Sequence, residues 1–228
     1  MKLCALFSGG KDSAFAVFQA KKEGHSIECL LTIHSSFTES YMYHRPNIHL
    51  TELAAEAMGL PLVTVKTSKG KEDELKPLKE ALEKLRDEKG IEGVLTGALA
   101  SVYQASRIEK ICKELGLASV NPLWKKNQKE YLQELIESQF KVMVVGVYAA
   151  GLDEKWLGRL LDKKALVELS ALEKKFKISV GGEGGELETL VLDCPLFSKK
   201  IEILESEKKW DGTRGELVVK KAALREKN

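Results

Sequence analysis

Ser8-Gly9-Gly10-Lys11-Asp12-Ser13 follows a short apolar run and opens a segment of helical periodicity. These residue types suit a phosphate group. Glycine lets the backbone come close to phosphate oxygens, and a helix start offers unpaired N–H groups with a partial positive charge. Ser8 and Ser13 add hydroxyl donors and Lys11 adds a cation. The string is not a Walker A loop: Ala5 stands where the first glycine of that pattern belongs, and Asp12 where Ser or Thr is required. A plain Gly-rich turn before a capped helix is the simpler alternative. The complete string in a strand–turn–helix setting favours a phosphate site.

Two later segments carry further chemistry. Gly97-Ala98-Leu99-Ala100 precedes a helical pattern in which Ser101 and Gln104 fit a capping box. Val102, Ala105, Ile108, Ile111, Cys112 and Leu115 form its apolar stripe, and Tyr103 and Arg107 lie together off it. An arginine so placed can clamp a phosphate or carboxylate bidentately, although a solvated polar face has the same pattern. The third segment is Gly181-Gly182-Glu183-Gly184-Gly185-Glu186, with Glu188 close behind. Carboxylates crowded this closely repel unless water screens them or a cation sits among them. A Mg²⁺ ion carrying phosphates, or an ammonium nitrogen, meets that need. A hairpin turn accounts for the glycines but not for the acids.

The elements that must position these segments alternate. Apolar runs at residues 2–7, 27–33, 62–65 and 93–96 predict strands. Helical spacing predicts helices over 11–23, 49–58, 72–89 and 101–115, several closed by Gly24, Gly59 or Gly90. The alternation predicts an α/β fold, a doubly wound parallel sheet with helices on both faces, over residues 1–125. The first two segments then share the strand edge where such sheets bind ligands. Beyond it, residues 142–148 predict a strand and 153–176 one long helix. Short strands at 188–192, 201–204 and 215–220 complete a smaller C-terminal α+β domain over 126–228. No Ser/Gly/Pro-rich linker marks the division.

Composition narrows the class. The 228 residues are 43% hydrophobic and 31% charged, as in an ordinary globular chain. Lys plus Arg is 36 and Asp plus Glu is 34, a net charge of +2 without the basic excess of a dedicated nucleic-acid binder. No apolar run is long enough for a membrane helix or a signal peptide, so a cytoplasmic protein without membrane association is expected. Cys4, Cys29, Cys112 and Cys194 form no C-x-x-C pair and read as reduced, buried residues. The charge-rich stretch 72–89 reads as a solvated face.

Ser8 to Ser13 resembles the PP-loop of the N-type ATP pyrophosphatases, which holds the β and γ phosphates while the α–β bond is cleaved. The string from Gly97 to Glu109, Leu115-Gly116-Leu117, Pro122-Leu123-Trp124 and the string from Glu183 to Asp193 narrow the resemblance to the diphthine–ammonia ligase family, over almost the whole chain. Leu187 stands where an aromatic is usual in that family, and the short C-terminus resembles its archaeal members. The resemblance implies that Ser8, Gly9, Gly10, Lys11, Asp12, Ser13, His34, Gly97 and Ala98 bind ATP. It implies that Tyr103, Gln104, Arg107, Gly184 and Gly185 bind the acceptor. Lys11, Asp12, Glu183, Glu186 and Glu188 then form the catalytic set, with Asp12 toward Mg²⁺. The loop with Tyr41-Met42-Tyr43-His44 would cover the adenine or the substrate, while His44 and His49 form no zinc motif.

The implied reaction amidates the diphthine carboxylate on elongation factor 2 with ammonia. Its logic is chemical: a carboxylate offers ammonia only an oxide leaving group, whereas an acyl-adenylate offers AMP. Two alternatives stand beside it, a PP-loop enzyme of RNA thiolation and a nucleotide-binding protein without catalysis. Thiolation asks for a reactive cysteine, and a sensor has no use for the acidic segment. A homodimer is expected from the general frequency of two-fold assemblies.

Overall fold

The first strand, β1 (Lys2–Leu6), shows why the chain builds layers. Leu3, Ala5 and the following Phe7 enter one apolar cluster, while Cys4 enters another on the opposite face. A strand covered on both faces must be apolar throughout. The helices α1 (Lys11–Lys22) and α2 (Thr51–Met58) supply Ala14, Phe15, Val17, Ala54 and Ala57 to the first cluster. On the other face, α3 (Leu75–Lys89) and α4 (Val102–Leu115) supply Leu78, Leu82, Ile108 and Ile111 to the second. This computed structural model describes residues 1–35, 47–67 and 75–227, so the loop bearing Tyr41 to His44 and the start of the 72–89 stretch lie outside the described residues.

Four more strands, β2 (Ser26–Ser35), β3 (Leu62–Thr67), β4 (Gly93–Leu95) and β5 (Ala118–Val120), join β1 in a wholly parallel sheet of order β3-β2-β1-β4-β5. The winding reverses between β1 and β4. Their carboxyl ends therefore open the crevice at which doubly wound sheets bind ligands. The expected α/β architecture is present.

The second half is an antiparallel sheet of order β7-β6-β9-β8, formed by β6 (Lys141–Val147), β7 (Leu187–Asp193), β8 (Lys199–Trp210) and β9 (Gly215–Glu226). Two helices flank it, α5 (Gln128–Glu137) and α6 (Lys163–Phe176). The first apolar cluster runs on into this half, where Phe15 packs against Tyr131 and Phe140 with ring centroids 5.5 and 5.2 Å apart. Across the same boundary Asn47, at φ 64°, donates to the Leu217 carbonyl at 2.8 Å and accepts from the Val219 N–H at 2.7 Å. Its amide acts as a short strand segment along β9.

Three expectations need correction. Residues 153–176 are not one helix. A 3₁₀ turn at Glu154–Trp156 is followed by Gly158 at φ +86°, Leu160 bridges to Met143, and the Asp162 carboxylate starts α6 by accepting the Ala165 N–H at 2.7 Å. The apolar residues in between pack the turn onto β6 rather than forming a helical stripe. Second, α5 and the three-residue β5 were not anticipated. Third, β8 and β9 run well past the apolar cores that announced them: the second half of β8 is exposed and charged, and β9 continues through half-buried Ala222 and Leu224 to Arg225 and Glu226.

All four cysteines are free and buried. Burial pushes the Cys112 thiol up to about 11 and the Cys194 thiol up to about 12. Both stay neutral in the fold where an unfolded thiol, ordinarily near 9, ionises. The stability they contribute is complete below that value and is lost as pH rises toward the folded values. Denaturant midpoints measured upward from pH 9 should fall steadily, and Cys194→Ala should reduce the slope; equal slopes would contradict the assignment.

Candidate active site

Ser8 to Ser13 form the turn from β1 into α1. Gly9 sits at φ +77°, a conformation that favours glycine. The Ser13 hydroxyl is used inside the turn: it accepts from the Ser8 N–H at 3.2 Å and donates to the Gly10 carbonyl at 3.1 Å. Gly10, as N-cap, has no side chain to close the first turn of α1. That leaves the helix start for an anionic ligand.

The turn is fastened to the second sheet. Val191 N–H donates to the Gly9 carbonyl at 3.0 Å, and Lys11 N–H donates to Thr189 Oγ1 at 3.2 Å. A Cβ at Gly10 would stand 3.3 Å from the Thr189 carbonyl oxygen. Strand β7 thus runs beside the turn, bringing the acidic segment with it.

Lys11 is only 3% exposed, and its Nζ donates to Asp12 Oδ2 at 2.9 Å. The other oxygen, Oδ1, accepts from the Tyr131 hydroxyl at 2.8 Å. A buried ammonium requires such compensation. Tyr131 is fully buried, and burial with the nearby Asp12 charge holds its phenol in the neutral, donating form.

The loop after β4 closes against this turn. A Cβ on Gly97 would lie 2.6 Å from Asp12 backbone atoms and 2.7 Å from the Ser13 nitrogen, so only glycine fits. Ala98 follows beside it, and the Leu99 carbonyl accepts the Lys125 N–H at 2.8 Å. Ser101 Oγ caps α4 by accepting the Gln104 N–H at 3.4 Å. Arg107 stacks on Tyr103, its guanidinium carbon 3.4 Å from the ring centroid. Arg107 Nε, His34 Nε2 and Asn121 Oδ1 are buried without a hydrogen-bond partner. His34 and Asn121 lie at the carboxyl ends of β2 and β5, the edge at which such sheets bind ligands. Burial lowers the His34 pKa and favours the neutral imidazole.

The acidic segment completes the crevice. Glu183 Oε2 accepts from the Ala100 N–H at 3.1 Å, joining it to the loop after β4. Glu186 turns back on its own loop: Oε1 accepts from Ser179 N–H and Oε2 from Gly184 N–H, both at 2.8 Å. A Cβ on Gly184 would stand 2.7 Å from Glu186 Oε1, so a side chain there would crowd this arrangement. Gly185 follows at φ +83°. Two backbone donors thus compensate the Glu186 charge in place of a cation. Glu188 stands on β7 opposite Gly146, next to the Thr189 that holds Lys11 N–H. Leu187 is buried at the start of the strand.

Sequence reasoning missed Gln128, Tyr131, Thr189 and Asn121. Gln128 Oε1 accepts from Ser179 Oγ at 2.7 Å and from Gly181 N–H at 2.9 Å, so α5 supports the Gly-rich loop as well as Asp12. Asn127, whose side chain caps α5, and the apolar residues Leu132 and Leu135 were the available signal. Among the described residues no group of three His, Cys, Asp or Glu side chains is arranged to hold a metal. None of the described helices is long and apolar enough to cross a membrane.

Comparison with known proteins agrees along the chain. The family model described as diphthamide synthase N-terminal domain matches residues 1–119, and the one described as diphthamide synthase C-terminal domain matches residues 127–224. The diphthine–ammonia ligase of Bos taurus is 41% identical over 229 residues, covering 91% of this chain and 84% of that protein. That of Homo sapiens is 40% identical over the same length and coverage. A crystal structure titled as a predicted subunit of tRNA methyltransferase from Methanocaldococcus jannaschii is 18% identical with a TM-score of 0.39, covering 77% of this chain and 88% of that one. That likeness is too remote to bear on function.

Proposed function

Because the chain belongs to the diphthamide synthase family, we propose that it is an ATP-dependent diphthine–ammonia ligase whose reaction is housed where the loops after β1 and β4 meet the acidic segment before β7. The observation that supports this placement is the hydrogen bonding among the three segments, Gly9 with Val191, Lys11 with Thr189, and Ala100 with Glu183.

The diphthine carboxylate attacks the α-phosphorus of ATP, an acyl-adenylate forms and pyrophosphate leaves. Ammonia then attacks the acyl carbon and AMP leaves. Negative charge gathers on the departing phosphates in the first step, so fixed donors there lower the barrier. The start of α1 and the Lys11 ammonium supply them, with Lys11 exchanging part of its contact with Asp12 for phosphate. Asp12, whose Oδ2 holds the Lys11 ammonium at 2.9 Å, would hold a nucleotide-borne Mg²⁺ as Lys11 moves onto phosphate. When bound it supplies further neutralising charge. His34 is assigned to the nucleotide and Arg107 to the acceptor, each having a buried polar atom without a hydrogen-bond partner.

Glu183 and Glu188 are the carboxylates assigned to ammonium and its proton, and Glu186 shapes the loop between them. Tyr103, Gln104, Gly184 and Gly185 border the acceptor. The acceptor is diphthine carried on elongation factor 2, and a division near residue 125 separates the nucleotide-binding α/β domain from a C-terminal domain that brings Gly184 and Gly185 to the acceptor. A cytoplasmic homodimer is the assembly proposed. RNA thiolation has no support in the chain, since all four cysteines are buried.

Product analysis tests the function. AMP and pyrophosphate should appear in equal amounts only when diphthine-bearing elongation factor 2 and ammonium are both supplied. ADP and phosphate, or turnover with an RNA acceptor, would overturn the reading.

A further inference from the structure

We propose that Tyr131, a residue of the second half of the chain, is a positioning residue for nucleotide binding: by holding one oxygen of Asp12 it leaves the other oxygen, and the Lys11 ammonium paired with it, poised to exchange onto the triphosphate. The inference rests on the functional reading above. Tyr131 Oη donates to Asp12 Oδ1 at 2.8 Å and Lys11 Nζ to Asp12 Oδ2 at 2.9 Å, so the carboxylate is gripped from both sides. Asp12 is adjacent in sequence to Lys11, but Tyr131 is 119 positions away, on a helix that also holds the Gly-rich loop through Gln128 one turn earlier. The phenol cannot swing away. Its ring lies in the aromatic cluster with Phe15, which in turn packs on Phe18 and Phe140.

The consequence is electrostatic. A hydroxyl donor spreads the carboxylate charge and fixes its plane. Without it Asp12 is free to turn both oxygens onto Lys11, which strengthens the pair that the triphosphate must displace and leaves more negative charge facing the phosphates. Tyr131→Phe keeps the ring and removes only the donor.

The test is the affinity for an ATP analogue with a methylene bridge between the α and β phosphates, measured with Mg²⁺ by calorimetry. Tyr131→Phe should weaken binding about tenfold, which is about 1.4 kcal/mol. In an Asp12→Asn background the same substitution should change affinity less than twofold, because its effect passes through the carboxylate. Phe140→Leu, which loosens the same aromatic cluster and spares the hydroxyl, should leave affinity within twofold at a comparable loss of melting temperature. Equal effects of Tyr131→Phe in both backgrounds, no effect in either, or an equal loss in Phe140→Leu would overturn the inference. A wild-type protein that bound no nucleotide would contradict the functional reading and this inference with it.

Discussion

Lys11→Met should lower AMP formation by about 10²–10³-fold, the size of effect seen when a single donor is removed from developing negative charge. The variant is more informative than alanine because methionine retains the buried stem. Lys11 is 3% exposed, and its ammonium donates to Asp12 at 2.9 Å, which Tyr131 continues to hold when the ammonium is gone. The fold therefore survives while the phosphate-facing cation does not. Phosphate charge is present in bound ATP and increases on the leaving group, so KM for ATP should rise and kcat should fall together. Lys11→Arg should recover little, since a planar fork does not reproduce a compact point charge in a closed site. Steady-state kinetics with saturating acceptor check this, and a loss below threefold in Lys11→Met would remove Lys11 from the mechanism.

Gly97→Ala should lower the same rate about 10²-fold, the scale on which a misplacement near 1 Å acts. The new Cβ would stand 2.6 Å from Asp12 backbone atoms and 2.7 Å from the Ser13 nitrogen. Neither is a side-chain tip that can rotate aside, so the loop after β4 must move away from the start of α1. Crowding of this kind also destabilises by about 1–3 kcal/mol. Gly90→Ala is the control. A Cβ there meets nothing within 4 Å, although φ is +62°, so it carries a backbone penalty far from the crevice and should leave the rate unchanged. Rates and denaturant midpoints for both variants separate the two effects. Equal rates would show that the closeness of the two loops is not needed for the chemistry.

Much of this crevice is legible in the sequence because its parts are local. A strand, a Gly-rich turn and a helix start occupy consecutive residues, and the periodicities around them are strong enough to place β1, α1, β4 and α4. A doubly wound parallel sheet is expected from such alternation, but its strand order, β3-β2-β1-β4-β5, is not. The junctions between parts are not local. Thr189 meets Lys11 across 178 positions and Glu183 meets Ala100 across 83, and no periodicity encodes either contact. Glu186 is instructive for another reason: an acid seeking a cation and an acid seeking backbone N–H groups look the same in sequence, and only the fold of the Gly184 turn decides between them. The helix α5 was missed although Asn127 caps it and Tyr131, Leu132 and Leu135 form its buried stripe, and with it went Gln128. The long helix expected over 153–176 failed at Gly158 and Asp162, a left-handed residue and a cap that restart the chain in a new direction.

The claim on which the mechanism depends is that an oxygen of the acceptor carboxylate becomes bonded to the α-phosphorus of ATP. Diphthine carrying ¹⁸O in that carboxylate tests it in one turnover, with the released nucleotide and pyrophosphate read by mass spectrometry. One labelled oxygen should appear in AMP and none in pyrophosphate. Unlabelled AMP, or label found in inorganic phosphate beside ADP, would contradict the account.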